Sequence, residues 1–290
     1  MPRPAGLPTV RLRRVAAELR ELRDGAGLSR EQVQERVGVG AGVLARIEQG
    51  RAKPAGGVLE ALFEAYDVPA GRRGELLELV RGAKRPGWLR QYERVTETLS
   101  DGYLTYVGFE AEAKALHSYQ PLLVPGLLQT EEYAAATIEN GLTITAEAVE
   151  LRVRTRLERQ ANLVARGSGE PLQFWAVVDE AVLRRAVGGA AVMRRQLERL
   201  LEEAERPNVT LQVIPFHTGA YPGMVGSFVR LVFGGAVPDL VYEERVGTDL
   251  FLELEAELDR YGDVFDKLRV EALSPRDSST FISTILAERS

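Results

Sequence analysis

SREQVQERVGVGAGVLARIEQG, residues Ser29–Gly50, carries the signals that define the N-terminal part of the chain. Ser29 and Gln32 stand three apart, the spacing of a capping box. In that motif a hydroxyl and a side-chain amide each satisfy a backbone amide that a helix start leaves unpaired. A helix therefore begins here, with Val33 and Val37 facing inward. Gly38 ends it, because glycine enters the left-handed conformation that closes a helix at little cost. A second short helix follows over 41–49, with Val43, Leu44 and Ile47 as its apolar side and Gly50 as its stop. Two short helices, a tight glycine turn and aliphatic residues where the helices touch make the geometry that sets the second helix into a DNA major groove.

Outward from this pair, the pattern stays helical. Leu12, Val15, Ala16, Leu19 and Leu22 recur at helical spacing over 10–24, and Gly25 and Gly27 stop the run. Further helices are predicted over 58–66 and 70–81. Together these form a five-helix, all-α domain over 10–82. Residues 1–9, with Pro2, Pro4 and Pro8, read as a disordered lead. A linker is predicted over 83–92, within and beyond GAKRPGWLR, where Trp88 is the candidate anchor. Residues 93–290 have another texture. Apolar, β-branched and aromatic runs predict strands at 103–109, 116–120, 172–178, 209–214, 226–233 and 239–243. Helical periodicity appears at 130–139, 146–165, 179–186, 189–205, 253–273 and 276–288. The expected class is α+β: an all-α helix-turn-helix domain, then a mixed α/β domain.

Composition narrows the functions available. With 45% apolar and 27% charged residues, the chain has the balance of an ordinary globular protein. It holds no 18-residue apolar run, so no membrane partner is expected. MPRPAGLPTVRLRR carries charge with no apolar run behind it, so no secretory signal is expected either. The absence of cysteine rules out disulfides, thiolate metal sites and cysteine nucleophiles, and fits the cytoplasm. The net charge of −5 hides an asymmetry. Residues 1–90 carry 17 Lys and Arg against 11 Asp and Glu, and the remaining 200 carry 20 against 31. A basic head on an acidic body suits a chain that meets nucleic acid at one end.

LSREQVQERVGV followed by ARIEQGRAKP resembles the helix-turn-helix of the lambda-repressor-like (XRE) family: a Leu-Ser entry, a Gly turn, an Arg-Ile-Glu-x-Gly exit. YVGFEAEAKALHSYQPLLVPGLLQTEEYA, residues 106–134, is similar to the signature of actinobacterial regulators of the WhiJ type. RVRTRLERQANL, FWAVVDEAVLRRAVGG, VMRRQLERL, NVTLQVIPF and GMVGSFVRLVF continue it in order, to about residue 275. The resemblance implies a lambda-repressor-like DNA-binding domain and a C-terminal regulatory or interaction domain. It also implies pairing with a small partner protein encoded nearby, and for some members an antitoxin-like role.

Carried onto this chain, the family's base-contacting positions are Ala41, Gly42, Val43 and Arg46. Of these only Arg46 has side-chain hydrogen-bonding capacity, and an arginine can grip guanine O6 and N7 with two bonds. Val43 and Ala41 suit a thymine methyl. Phosphate contacts are expected from Ser29 and Arg30 at the start of the first helix of the pair, and from Arg51 and Lys53 after the second. Arg11, Arg13 and Arg14 add to the positive field. Glu48 reads as structural, pairing locally near the Arg51 turn.

Motifs of the second half are weaker. VPGLLQT, residues 124–130, reads as a fold-defining corner, or else a ligand surface. VGG at 187–189 lacks a phosphate-loop frame and reads as a helix-to-helix turn. HTGAYPGMVGSF, residues 217–228, is a long loop that suits a lid or interface. His117 reads as core and His217 as a loop residue. Adjacent carboxylates such as Asp179–Glu180, Glu131–Glu132 and Glu243–Glu244 diverge from one another and make poor acid/base pairs. No catalytic residue, metal ligand, cofactor or enzymatic activity is expected. The expected function is a cytoplasmic, sequence-specific transcriptional regulator that binds double-stranded DNA as a homodimer. Its C-terminal domain would take a signal or partner. The rival is an antitoxin-like interaction protein whose DNA binding is weak or autoregulatory.

Overall fold

Five helices follow one another at the N-terminus: α1 (Val10–Gly25), α2 (Arg30–Val37), α3 (Ala41–Glu48), α4 (Gly56–Ala65) and α5 (Ala70–Arg81). The computed structural model describes residues 9–81, 99–141, 145–164, 170–234, 237–245 and 248–289. The linker expected over 83–92, Trp88 included, lies outside them. Each helix turns one apolar stripe inward, and Leu19, Val33, Leu44, Leu59, Leu62 and Leu76 have no exposed surface. The helix ends follow local chemistry. The Thr9 hydroxyl accepts from the Leu12 amide at 3.2 Å and starts α1. Gly27 and Gly50, at φ 66° and 67°, close α1 and α3 with left-handed turns.

The next element departs from expectation. Residues 103–109 form no strand but most of helix α6 (Asp101–Glu112). Leu104, Thr105, Tyr106, Val107, Phe109 and Glu110 are all buried. Burial on so many sides erases the one-face periodicity that marks a helix, and a short β-branched and aromatic run then looks like a strand.

The strands are β1 (Ala115–Gln120), β2 (Gln173–Asp179), β3 (Val209–Ile214), β4 (Phe228–Val232), β5 (Leu240–Arg245) and β6 (Thr248–Leu252). They form one mixed sheet in the order β3-β2-β1-β4-β5-β6. β1 lies parallel to β2, with Leu116 beside Phe174, and β2 parallel to β3, with Ala176 beside Leu211. The β1–β4, β4–β5 and β5–β6 pairs are antiparallel. Parallel neighbours need long crossovers. Helices α7 (Glu131–Gly141) and α8 (Ala146–Gln160) make the first, and α9 (Glu180–Arg184) and α10 (Ala190–Ala204) the second. β6 is a strand absent from the sequence reading: its apolar run is only Leu250, Phe251 and Leu252, half-buried at the edge of the sheet.

Two helices complete the chain, α11 (Glu255–Glu271) and α12 (Pro275–Glu288). Phe265 and Leu268 of α11 cover one sheet face, against Tyr119, Val177, Ile214, Phe228 and Val241. Ser278 of α12 accepts from the Val213 amide at 3.0 Å and holds that helix to β3. By contacts the chain divides into two compact units. One gathers α1–α5 with residues 103–112 and the described residues 233, 234, 237 and 238, and the other holds the sheet and the remaining helices. The class is therefore α+β, a helical N-terminal region followed by a mixed six-stranded sheet with helices.

Candidate nucleic-acid interface

The interface is built on the α2–α3 pair. The Ser29 hydroxyl accepts from the Gln32 amide at 3.2 Å, and the Gln32 side chain accepts from the Ser29 amide at 2.8 Å, a complete capping box. The Glu31 carboxylate takes its own backbone amide and a bond from Ser29, which holds its pKa below the ordinary value. Gly38, at φ 73°, closes α2. The turn is then locked by a contact the sequence does not advertise. Gln34 of α2 accepts from the Ala41 amide at 2.8 Å, so its side chain caps α3, whose N-cap is a glycine without a side chain.

This packing fixes which face of α3 is free. Leu44 and Ile47 are buried in the core. Gly42 and Arg46 are exposed, Ala41 is half-buried, and Val43 is 40% exposed. Val43 thus leaves the apolar side expected for it. It sits about 100° around the helix from Leu44 and about 40° from Ile47, at the edge of the buried stripe, where its side chain is left partly open. Ala41, Gly42, Val43 and Arg46 occupy one helix of just over two turns. Arg51 and Lys53 follow it, both exposed, after a turn in which the Arg51 amide donates to the Arg46 carbonyl at 2.8 Å.

Of the other expected cations, Arg13 is engaged elsewhere and Arg30 is engaged in part. Arg13 is 4% exposed, and its guanidinium lies 5.4 Å from the Phe109 ring and 5.5 Å from that of Phe233. It is a packing residue of α1, not a surface charge. Arg30 donates from Nε to Glu48 at 2.8 Å, with its side chain 38% exposed.

Glu48 is the hub. Its side chain has no exposed surface, and it accepts from Arg23 Nε at 2.6 Å and Nη2 at 3.2 Å as well as from Arg30. Arg23 also donates to the Leu28 carbonyl at 2.8 Å. Glu48 is structural, but its partners come from α1 and α2 rather than from the turn at Arg51. The network joins the end of α1, the start of α2 and the end of α3, so it sets the angle at which α3 is presented. Hydrogen bonding to Glu48 holds the Arg23 pKa above its ordinary value.

Gly50 completes the support. A Cβ there would meet Arg13 Cγ at 3.3 Å, and the φ of 67° disfavours any side chain. Gly50→Ala is expected to cost about 1–2 kcal/mol of stability, measured by urea unfolding.

The motifs of the second unit prove to be tied down. In 124–130, Gln129 donates to the Val124 carbonyl at 2.7 Å and accepts from Arg156 at 2.8 Å. Gln196 accepts from the Thr130 amide and donates to the Leu128 carbonyl, both at 2.8 Å. The segment is a corner clamped by α8 and α10. Gly188 and Gly189, at φ 67° and 91°, form the turn between α9 and α10. In the 217–228 loop, Tyr221 donates to Asp179 at 2.6 Å and lies 2.9 Å from the Tyr119 hydroxyl. His117 stacks on Phe265 at 4.8 Å under α11, and burial lowers its pKa. His217 is exposed in the loop. Of the paired carboxylates, Asp179 caps α9 through the Ala181 amide, Glu180 accepts from the Phe216 amide, and Glu243 takes Tyr261 and Arg245.

Burial pushes the Tyr66, Tyr119 and Tyr261 phenols up to about 12 from 10.0, with Glu48 adding at Tyr66 and the Glu243 hydrogen bond at Tyr261. The fold therefore favours the neutral phenols. Their contribution is complete below pH 10 and is lost as pH rises toward 12. Phenolate absorbance should show at least three late-titrating tyrosines, with loss of structure accompanying their ionisation. Titration of all tyrosines near their ordinary value in a folded chain would refute this.

The capped, glycine-closed helix pair with one exposed face defines a helix-turn-helix domain of the DNA-binding kind. A family model described as a helix-turn-helix domain matches residues 14–76. A second, described as a domain of unknown function (DUF5753), matches residues 103–284, and the chain belongs to that family. No curated protein and no solved structure matches the chain. The DUF5753 match starts within α6, so residues 103–112 belong at once to that match and to the compact unit of α1–α5. Among the described residues, no helix is long and apolar enough to cross a membrane, and no group of three or more His, Asp or Glu could hold a metal ion.

Proposed function

We propose that the chain is a cytoplasmic, sequence-specific transcriptional regulator of the XRE type, without enzymatic activity, that binds double-stranded DNA as a homodimer. The observation that carries this is the exposed α3 face: Gly42, Val43 and Arg46 outward, Leu44 and Ile47 inward, with Arg51 and Lys53 just beyond. Arg46 reads a guanine, and Val43 with Ala41 meets thymine methyls. Gly42 lets the helix backbone approach the base edges. Arg51, Lys53, Ser29 and Arg30 hold phosphate. Two copies would read half-sites about 34–36 Å apart. The C-terminal domain, of the actinobacterial WhiJ type, binds a signal or a small partner protein encoded nearby and biases DNA binding.

One observation favours a second reading. The free face of α3 offers a single polar reader, so direct discrimination is thin. On that reading the chain is antitoxin-like, chiefly a partner binder, with weak or autoregulatory DNA contact. Binding of the full chain to the duplex upstream of its own gene, against random duplex at physiological salt, separates the two. Preference for the upstream duplex by about three orders of magnitude or more supports the regulator. Equal binding of both duplexes overturns it.

A further inference from the structure

Helices α7 and α8 pack on one another and leave a groove of about 430 Å³ on their outer side. Its floor is aliphatic. Val149, Val153 and Leu157 stand four apart along α8, beside Ala135 of α7. Val153 is buried, and the other three are half-buried against the small core of Ala134 and Ile138. The floor is therefore only partly covered by the protein itself.

The rim has one dominant sign. Glu131 and Glu139 flank Ala135 on α7, four residues to either side, and Glu150 stands on α8, with Arg154 the single cation among the described residues of the rim. Among the described residues these three carboxylates make no ion pair, whereas the neighbouring Glu132 is paired with Arg195 at 3.2 Å. An aliphatic floor between two helices accepts the side-chain ridge of a third. From Val149 to Leu157 the floor runs about 12 Å at 1.5 Å per residue, room for about two to three helical turns. The unpaired carboxylates call for cations on the flanks of that third helix.

We propose that this groove docks a basic amphipathic helix of a separate partner protein, a proposal that rests on the partner-binding reading of the C-terminal domain. A second copy of the chain is a poor occupant. Two such grooves facing one another would set carboxylate rim against carboxylate rim, and the basic helix α1 commits its apolar face to its own core. DNA is excluded by the sign of the rim.

The test uses the full chain and a fluorescent synthetic helical peptide, with leucines on one face and lysines on the other. The variant is the triple substitution Glu131→Lys, Glu139→Lys, Glu150→Lys, at three exposed positions that leave the floor intact. The peptide should bind the native chain and bind the variant at least about tenfold more weakly. A peptide of the same composition with its leucines scattered should also bind more weakly. Equal affinity for both peptides, equal affinity of both chains, or no binding would overturn the proposal. A change in self-association of the triple variant, seen by sedimentation, would also overturn it, because the groove would then be a face between copies. Any small protein encoded beside this chain, the partner proposed above, is titrated in parallel. If it binds native chain and variant alike, the groove assignment falls while the partner reading stands. If it binds neither, the partner reading falls as well.

Discussion

Glu48→Ala is expected to destabilise the N-terminal unit by about 3–5 kcal/mol, because it strands a buried cation. Arg23 is buried, and Glu48 takes two of its nitrogens at 2.6 and 3.2 Å. Removing the carboxylate leaves that guanidinium with the Leu28 carbonyl and the exposed Asp24. The loss should be nearly independent of salt, since a pair with no exposed carboxylate surface is poorly screened. Glu48→Gln keeps the shape and one acceptor and should lose less. Urea unfolding of the three proteins measures it. A cost below about 1 kcal/mol for Glu48→Ala would mean that water reaches the pair as it reaches a surface bridge. DNA binding should fall with stability in this series, because the same network sets the angle of α3.

Arg46→Ala carries the second large effect, and it falls on discrimination rather than stability. Arg46 is exposed and makes none of the core contacts of α3. Its loss should reduce the preference for the best duplex by about 1–3 kcal/mol, roughly five- to 150-fold. Lys53→Ala should instead weaken every duplex alike and lower the salt slope by about one. Arg30→Ala is a less clean control, since Arg30 is also a partner of Glu48 and its removal disturbs the α1–α2–α3 joint. Identical effects of Arg46→Ala and Lys53→Ala, measured on selected and random duplexes across a salt series, would refute the division between base and phosphate contacts.

Features with local causes were legible in the sequence. The Ser29–Gln32 box and the glycine stops at 38 and 50 need only neighbours within a turn of helix, and they stand where spacing put them. The crossover helices α7, α8 and α10 were legible because each keeps one apolar stripe over several turns. Features set by distant packing were not. The partners of Glu48 lie 25 and 18 residues away, and no spacing rule connects them. Gln34 becomes the cap of α3 only because α2 and α3 meet at the angle they do. Helix α6 is buried on so many sides that its periodicity vanished, and β6, short and half-buried at the sheet edge, offers an apolar run of three residues that is too brief to mark a strand. The outward turn of Val43 was half legible: its type suggested packing, while its place in the motif suggested DNA.

The chain contains no cysteine, so one introduced thiol is unique. Val43→Cys places it on the proposed DNA face of α3, and Glu202→Cys places a control on an exposed position of α10. The measurement is the alkylation rate of each thiol with and without the upstream duplex. Docking of α3 in the groove predicts that DNA protects the thiol at position 43 in proportion to occupancy and leaves the thiol at position 202 unchanged. Equal alkylation at position 43 with and without saturating DNA would contradict the account.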